Sequence, residues 1–270
     1  MTKHHDRPQA RAIAVLLMVC ATTRVSAAAP PLAFVDIWLV TQVAADRQDP
    51  QNGVFKPQDP RLLNRVMTIG SDGRLDFNLT TEACSHVTWA PQPPSRLSTL
   101  AAKTFPRGPR GSRRKAPTLA DFDLKFPDST VKPYVARCLA DPVARHKPAS
   151  WGNAAWFTML DATRMGVAYD SDTVLVLERI PPGAPARPSF ACADAKSPTE
   201  AAICSSQALA GYDRSIAELY PRVLQKADAK TRSAIEQEQQ AWLKTRDACK
   251  ADNVCIANSL ADRLELLVQE

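Results

Sequence analysis

The C-terminal part of the fold is decided by the stretch IEQEQQAWLKTRDACKADNVCIANSL, residues 235–260. Five of its residues recur at intervals of four, three, four and three, which places them on one face of an α-helix. This stripe consists of Ile235, Gln239, Trp242, Arg246 and Cys249. A second cysteine, Cys255, follows the segment KADNV. The pattern predicts a helix over about 231–249, a short turn, and another helix over about 253–268.

Two further helices are predicted before this pair. In SPTEAAIC, Ser197 has the position of an N-cap, a proline follows it, and Glu200 can complete a capping box. A second helix near 209–227 has an apolar face, and Pro221 inside it predicts a kink or a split. Because short connections favour antiparallel neighbours, residues 190–270 are predicted to form a small helical bundle.

The chain before the bundle has the pattern of strands. Residues 30–180 are predicted to form this β-rich domain, because apolar side chains from 33 to 180 mostly alternate in steps of two. The middle, 80–155, is rich in Pro and irregular. The segments RVMTIGSDGRLDFNL (65–79) and RMGVAYDSDTVLVLERI (164–180) predict hairpins, and FVDIWLVTQV (34–43) predicts an opening strand. PPGAPARPS (181–189) predicts a Pro-rich linker. The expected fold class is α+β: an antiparallel β-rich domain, a small sheet or barrel, followed by a disulfide-stapled small α-helical bundle.

The N-terminal residues 1–29 have the organisation of a secretory signal peptide. Basic residues precede the apolar run AIAVLLMVCA (12–21), and VSAAA (25–29) offers small residues for cleavage. The bulky residues before Cys20 do not fit a lipid-attachment site, so no lipid anchor is expected. No later apolar run reaches the roughly 20 residues of a membrane span. The predicted location is the periplasm or the exterior of the cell.

The remaining cysteines are even in number, which in an exported protein predicts disulfides. They are Cys84, Cys138, Cys192, Cys204, Cys249 and Cys255. The first two are expected to pair within the β-rich domain, and the last four within the bundle. Pairing of neighbours along the bundle would pin its start and its last turn, and a crossed pairing is the alternative.

Charge indicates little affinity for nucleic acid. The net charge of +6 owes much to KTFPRGPRGSRRK (103–115), whose six basic residues stand among Pro and Gly and predict a solvated loop. Residues 190–270 contain twelve acidic and ten basic side chains, a net charge of −2. A nucleic-acid partner is therefore not predicted.

Residues suited to catalysis are few. After residues 1–29 the chain retains only His86 and His146, and neither has metal-ligand spacing to another His, Asp or Glu. The cysteines are assigned to disulfides, and no phosphate-binding loop or nucleophile elbow is present in the sequence. We therefore predict no catalytic residue, no metal and no cofactor.

The helical stripe is interpreted as core architecture. Trp242 would supply the large apolar body that a small bundle needs. Arg246 could satisfy a buried carboxylate such as Asp213, and Gln239 could bond backbone at a helix end.

Three segments together resemble the LprI-like (lysozyme inhibitor LprI N-terminal-like) family of small exported cysteine-rich helical domains. They are SFACADAKSPTEAAIC, LAGYDRSIAELY and EQQAWLKTRDACKADNVCIANSLADRLELL, and the resemblance covers roughly residues 190–268. The motif residues that carry it, beside the cysteines, are Asp213, Gln239, Trp242, Arg246 and Asp247. Pro221 departs from the family pattern. The resemblance implies a bacterial envelope protein and, for one branch of the family, inhibition of lysozyme.

Two functions are therefore expected. The first is protein binding to a lysozyme or another envelope protein through exposed acidic side chains of the bundle, namely Asp194, Asp228, Asp252 and Asp262. The alternative is a periplasmic structural or small-ligand or peptidoglycan-binding module without lysozyme inhibition. Its cavity would be lined by tryptophans of the β-rich domain, namely Trp38, Trp89, Trp151 and Trp156. Core packing explains Trp38 and Trp156 equally well, so Trp89 and Trp151 are the better ligand candidates. The sequence indicates no oligomeric state.

Overall fold

The computed structural model describes residues 29–48, 54–77, 84–85, 87–105, 116–138, 156–169 and 173–270. Residues 1–28, His86, His146, Trp151 and most of the basic 103–115 segment lie outside these ranges, so the predictions made on them stay predictions.

An antiparallel sheet forms the first part of the described chain. Its strands, with two short ones beside it (β5 and β6), are β1 Asp36–Ala45, β2 Val66–Ile69, β3 Leu75–Phe77, β4 Val87–Pro91, β5 Ser95–Arg96, β6 Thr130–Val131, β7 Tyr134–Cys138, β8 Trp156–Met159, β9 Arg164–Tyr169 and β10 Thr173–Arg179. Eight of them pair in the order β3-β2-β1-β10-β9-β8-β7-β4, each pair antiparallel. Both predicted hairpins are present, as β2–β3 and β9–β10.

The two ends of this sheet meet, so that it is nearly closed into a barrel. Leu75 of β3 forms an antiparallel bridge with Cys84, just before β4. The N–H group of Val87 donates to the carbonyl of Gly73 at 3.0 Å. A disulfide between Cys84 and Cys138 ties the same edge to β7. This closure leaves little of the sheet edge open to pairing with other chains.

Alternation along the strands separates two apolar cores. Inside the barrel, Trp38 is fully buried and donates from Nε1 to the carbonyl of Phe34 at 2.9 Å. Trp89 packs edge-on against Phe157, with ring centroids 5.0 Å apart. On the outer face Trp156 joins helix α1, Leu97–Thr104.

Three of the four tryptophans proposed for the ligand cavity are part of the apolar cores and do not face an open cavity, and Trp151 lies outside the described residues. Trp38, Trp89 and Trp156 are only 0%, 3% and 3% exposed. The barrel interior that Trp38 and Trp89 fill is packed with side chains, because the strands alternate strictly enough to point one apolar set inward.

Four helices form the last part of the chain: α2 Pro198–Ser205, α3 Gln207–Lys226, α4 Ala229–Asp247 and α5 Asn253–Gln269. The Ser197–Glu200 capping box is present at the start of α2. α3 runs without a break through Pro221, so the predicted split is wrong. Pro221 has no N–H group to donate to the carbonyl of Ala217, so that carbonyl loses its helical hydrogen bond. Both residues are exposed, and water can satisfy the carbonyl instead. No helix in the described ranges is long and apolar enough to cross a membrane.

Two disulfides pin this bundle. Cys192 pairs with Cys204 across 12 residues, and Cys249 pairs with Cys255 across the α4–α5 turn. The crossed alternative is therefore wrong. The predicted linker 181–189 lies between β10 and α2, and its role as a domain boundary stays a prediction.

The sheet and the bundle contact each other through residues 54–65, here called the docking loop. Arg65 at its end is fully buried, and its Nη2 donates to the carbonyl of Gly211 at 2.9 Å and to Ser215 Oγ at 2.6 Å. The guanidinium carbon lies 3.6 Å from the centroid of the Tyr212 ring. Burial lowers the pKa of Arg65 to about 10. A buried cation is thus shared between the last residues of the loop and the first turns of α3.

Gly211 allows this close approach. A Cβ atom at this position would lie 2.0 Å from the carbonyl oxygen of Asn64, which is backbone and cannot swing away. α3 therefore has a glycine in its interior even though glycine weakens a helix.

We expect Gly211→Ala to destabilise the protein lacking residues 1–29 by about 1–3 kcal/mol, because the added methyl group overpacks the contact with Asn64. Helix propensity alone would stabilise the variant by roughly 0.5–1 kcal/mol. The sign of the change in the free energy of unfolding therefore distinguishes overpacking from helix propensity. Thermal unfolding followed by circular dichroism measures it, and a variant as stable as the wild type would contradict the contact.

The docking loop is itself held by Asp59, whose side chain is 2% exposed. It accepts hydrogen bonds from Arg61 Nε at 2.9 Å and Nη2 at 2.7 Å, and from the backbone of Arg61 and Lys56. Burial acts to raise the pKa of Asp59, but these hydrogen bonds outweigh it and lower that pKa.

We expect Asp59→Asn to cost about 1–3 kcal/mol at pH 7, since a buried charge-assisted pair is lost. Because the folded pKa of Asp59 lies below its unfolded value, its contribution is full above about pH 4 and is lost as the pH falls through the folded pKa. In urea titrations, the difference in the free energy of unfolding between Asp59→Asn and the wild type should become smaller below about pH 4. The control, Asp123→Asn, removes an exposed pair with Arg47 and should change stability by less than about 1 kcal/mol.

Candidate functional site

The helical part contains a solvent-accessible cleft between α3 and α4, with a volume of about 490 Å³. It arises because α3 packs mainly on α5, and α4 also lies on α5. The α3–α4 cleft is lined by Ser189, Phe190, Glu200, Asp213, Ile216, Ala217, Tyr220, Gln239, Trp242, Leu243, Arg246 and Asp247. All five motif residues predicted from the sequence are among them.

Trp242 is the central aromatic group of the cleft. Its indole Nε1 donates to the carbonyl and to Oγ of Ser259 on α5, both at 3.1 Å. This double contact fixes the ring against α5. The side chain is half-buried and also lines the cleft, so it packs against α5 and leaves part of its apolar surface facing the cleft.

Arg246 is 6% exposed and pairs with the neighbouring Asp247, with Nε and Nη2 donating to one carboxylate oxygen at 2.9 and 2.7 Å. The expected pairing with Asp213 is not formed. Asp213 instead accepts from the backbone N–H of Ser189 at 2.6 Å. The difference arises because Asp213 lies near the start of α3, where the incoming linker passes.

Gln239 also has a partner other than the expected backbone group. Its Oε1 accepts from Arg263 Nε of α5 at 2.8 Å. Arg263 is 3% exposed, and its other contact is a longer one, 3.7 Å, to Glu238. Gln239 therefore stabilises a buried cation and links α4 to α5.

The cleft has an excess of negative charge. Glu200, Asp213 and Asp247 line it, and Arg246 is its one cationic side chain. Hydrogen bonding from the backbone N–H of Lys196 lowers the pKa of Glu200, so this carboxylate is ionised at neutral pH.

At the other end of the cleft, burial raises the pKa of Tyr220, and the charge of Glu236 adds to this effect. The Tyr220 hydroxyl therefore stays protonated. An acidic, aromatic-walled recess of this kind suits a cationic side chain.

Within the part of the chain that the structure describes, no group of three or more His, Cys, Asp or Glu residues is placed to hold a metal ion. Of the acidic residues expected to bind a partner, none lines the cleft. Asp228 and Asp252 instead cap α4 and α5 by accepting backbone N–H groups.

Comparison with protein families identifies the same region. The sequence model of the family described as Lysozyme inhibitor LprI matches residues 192–267. These residues form an LprI-like domain. The predicted resemblance is thereby confirmed, and the match includes every lining residue that α2, α3 and α4 contribute. No curated protein and no solved structure matches the chain.

Sequence reasoning missed several residues of the LprI-like domain that build the cleft. The sequence predicts Glu200 only as part of a capping box, and Tyr220 lies on the apolar face predicted for the helix near 209–227. A signal for Tyr220 exists, since it follows Asp213 by seven residues and so lies on the same face of α3. Ala217, four residues after Asp213, carries the same signal.

We expect Gln239→Ala to lower the free energy of unfolding by about 1–3 kcal/mol, because Arg263 would keep its burial and lose its nearest acceptor. Urea denaturation of the protein lacking residues 1–29 measures the change. The neighbouring Gln240 is exposed, so Gln240→Ala should stay within about 0.5 kcal/mol of the wild type. Equal effects at the two positions would disprove the role of Gln239.

Proposed function

We propose that the protein is an exported bacterial envelope protein whose LprI-like domain binds a lysozyme and inhibits it. The α3–α4 cleft would receive a basic side chain of the enzyme, and the surrounding helices would cover its substrate groove. The protein acts in this proposal as a binding partner and not as an enzyme.

The observation that carries the proposal is that the residues of the family motif line the acidic cleft. Asp213 and Asp247 reach the cleft from α3 and α4, and Trp242 forms an aromatic wall between them. An Arg or Lys side chain entering there would find carboxylates for ion pairing and an aromatic face for a cation–π contact. Lysozymes are commonly basic, so the net charge of −2 on residues 190–270 favours their approach.

Export is supported by two features. Residues 1–29 have the pattern of a cleaved signal peptide. All six cysteines after that segment are paired in disulfides, which persist in oxidising compartments.

Turbidimetric lysis of bacterial cell walls tests the proposal, with the oxidised protein lacking residues 1–29 added to several types of lysozyme. Inhibition at micromolar concentration is the expected result. Ala217 is exposed and lines the cleft, so Ala217→Arg should fill the cleft with a like charge and raise the inhibitory concentration at least about tenfold, or roughly 1.4 kcal/mol.

Ala234→Arg is the matched control, since Ala234 is exposed on α4 and does not line the cleft. It should inhibit as the wild type does. Equal inhibition by both variants would locate the binding surface elsewhere. No inhibition of any lysozyme by the wild type would disprove the inhibitor function.

A further inference from the structure

A second recess lies where the sheet, the linker and α3 meet, and it has a volume of about 410 Å³. We call it the interdomain groove. Leu39 and Ile180 contribute apolar surface from the sheet side, and Pro181 and Pro185 contribute it from the linker. The groove exists because the Arg65 contact holds α3 against the docking loop.

Two arginines of this groove lack a direct ion pair. Arg187 of the linker and Arg214 of α3 both line it, and neither forms an ion pair with a carboxylate among the described residues. The guanidinium of Arg214 donates to the carbonyl of Arg187, so the two residues are adjacent.

The third arginine of the groove shows the contrast. Arg179 pairs with Asp36, donates to the carbonyl of Ala33 at 2.9 Å and lies 4.5 Å from the centroid of the Trp38 ring. Its charge is satisfied within the sheet. The acidic side chain among the lining residues is Glu178, which is exposed.

The surroundings of Arg214 disfavour its charge. Burial lowers the pKa of Arg214, and the positive charge of Arg187 acts in the same direction. Glu218 and Asp213 act in the opposite direction without outweighing it. A bound anion would remove this repulsion and would gain charge-assisted hydrogen bonds from both guanidinium groups.

We propose that the interdomain groove binds a small organic carboxylate of about the size of a dipeptide. The carboxylate lies between Arg187 and Arg214, and the apolar body of the ligand packs on Ile180, Pro181 and Pro185. The volume of the groove falls within the range of small-molecule sites. The planar guanidinium matches a carboxylate in bidentate geometry, and the apolar walls favour an organic acid over a free inorganic anion.

Isothermal titration calorimetry on the protein lacking residues 1–29 tests this site. The probes are N-acetyl-alanyl-leucine and N-acetyl-leucine as free acids, the C-terminal amides of both, and inorganic phosphate. The free acids should bind at least about tenfold more tightly than their amides, since a charge-assisted contact is lost in the amide. They should also bind more tightly than phosphate.

Variants locate the binding. Arg187 is exposed, so Arg187→Gln should fold normally and weaken binding of the acids at least about fivefold, with Arg214→Gln acting in the same direction. Arg222→Gln is the control, because Arg222 is exposed on α3 and does not line the groove.

Three results would overturn the proposal: no binding of either acid at millimolar concentration, equal binding of acids and amides, or equal binding by Arg187→Gln and the control. Tighter binding of phosphate would overturn the organic ligand class. Lysozyme inhibition by Arg187→Gln should be unchanged, so the groove and the α3–α4 cleft are tested separately.

Discussion

The buried guanidinium of Arg65 is the interaction on which the arrangement of the two parts depends. It is enclosed by the docking loop on one side and by α3 on the other, and its charge is balanced by carbonyl and hydroxyl oxygens and by the Tyr212 ring. Ser215 extends the network, because its hydroxyl accepts from Arg65 and donates to the carbonyl of Leu63 at 2.9 Å. A buried cation held by several directional bonds favours one relative orientation, since most other placements would leave it unsatisfied.

This single orientation has two structural consequences. The backbone of α3 lies so close to the carbonyl of Asn64 that a side chain larger than that of Gly211 would clash with it. The linker is then confined between the sheet and α3, which creates the interdomain groove and brings Arg187 beside Arg214.

The cleft of the LprI-like domain has a different origin. α4 contributes few buried residues, and apart from Ile235 its buried side chain is the charged Arg246. A helix with so little apolar surface cannot be packed on all sides, so it lies on α5 and leaves a recess toward α3. The side chains Gln239 and Trp242 bind α5 with their polar atoms. The motif is therefore architectural and lines the α3–α4 cleft at the same time.

The sequence by itself determined the local features: the four helices, the Ser197–Glu200 capping box, the two hairpins and the LprI-like domain. Each depends on residues close together in the chain or on a motif with fixed spacing. Only the tertiary structure decided that Arg65 is buried, that Arg246 pairs with Asp247, and that α3 continues through Pro221. These outcomes depend on which groups the fold buries and which it leaves exposed, because burial and the position of a competing donor or acceptor determine the partner of a charged group. Periodicity shows which residues lie on the same face of a helix, but not which groups that face packs against.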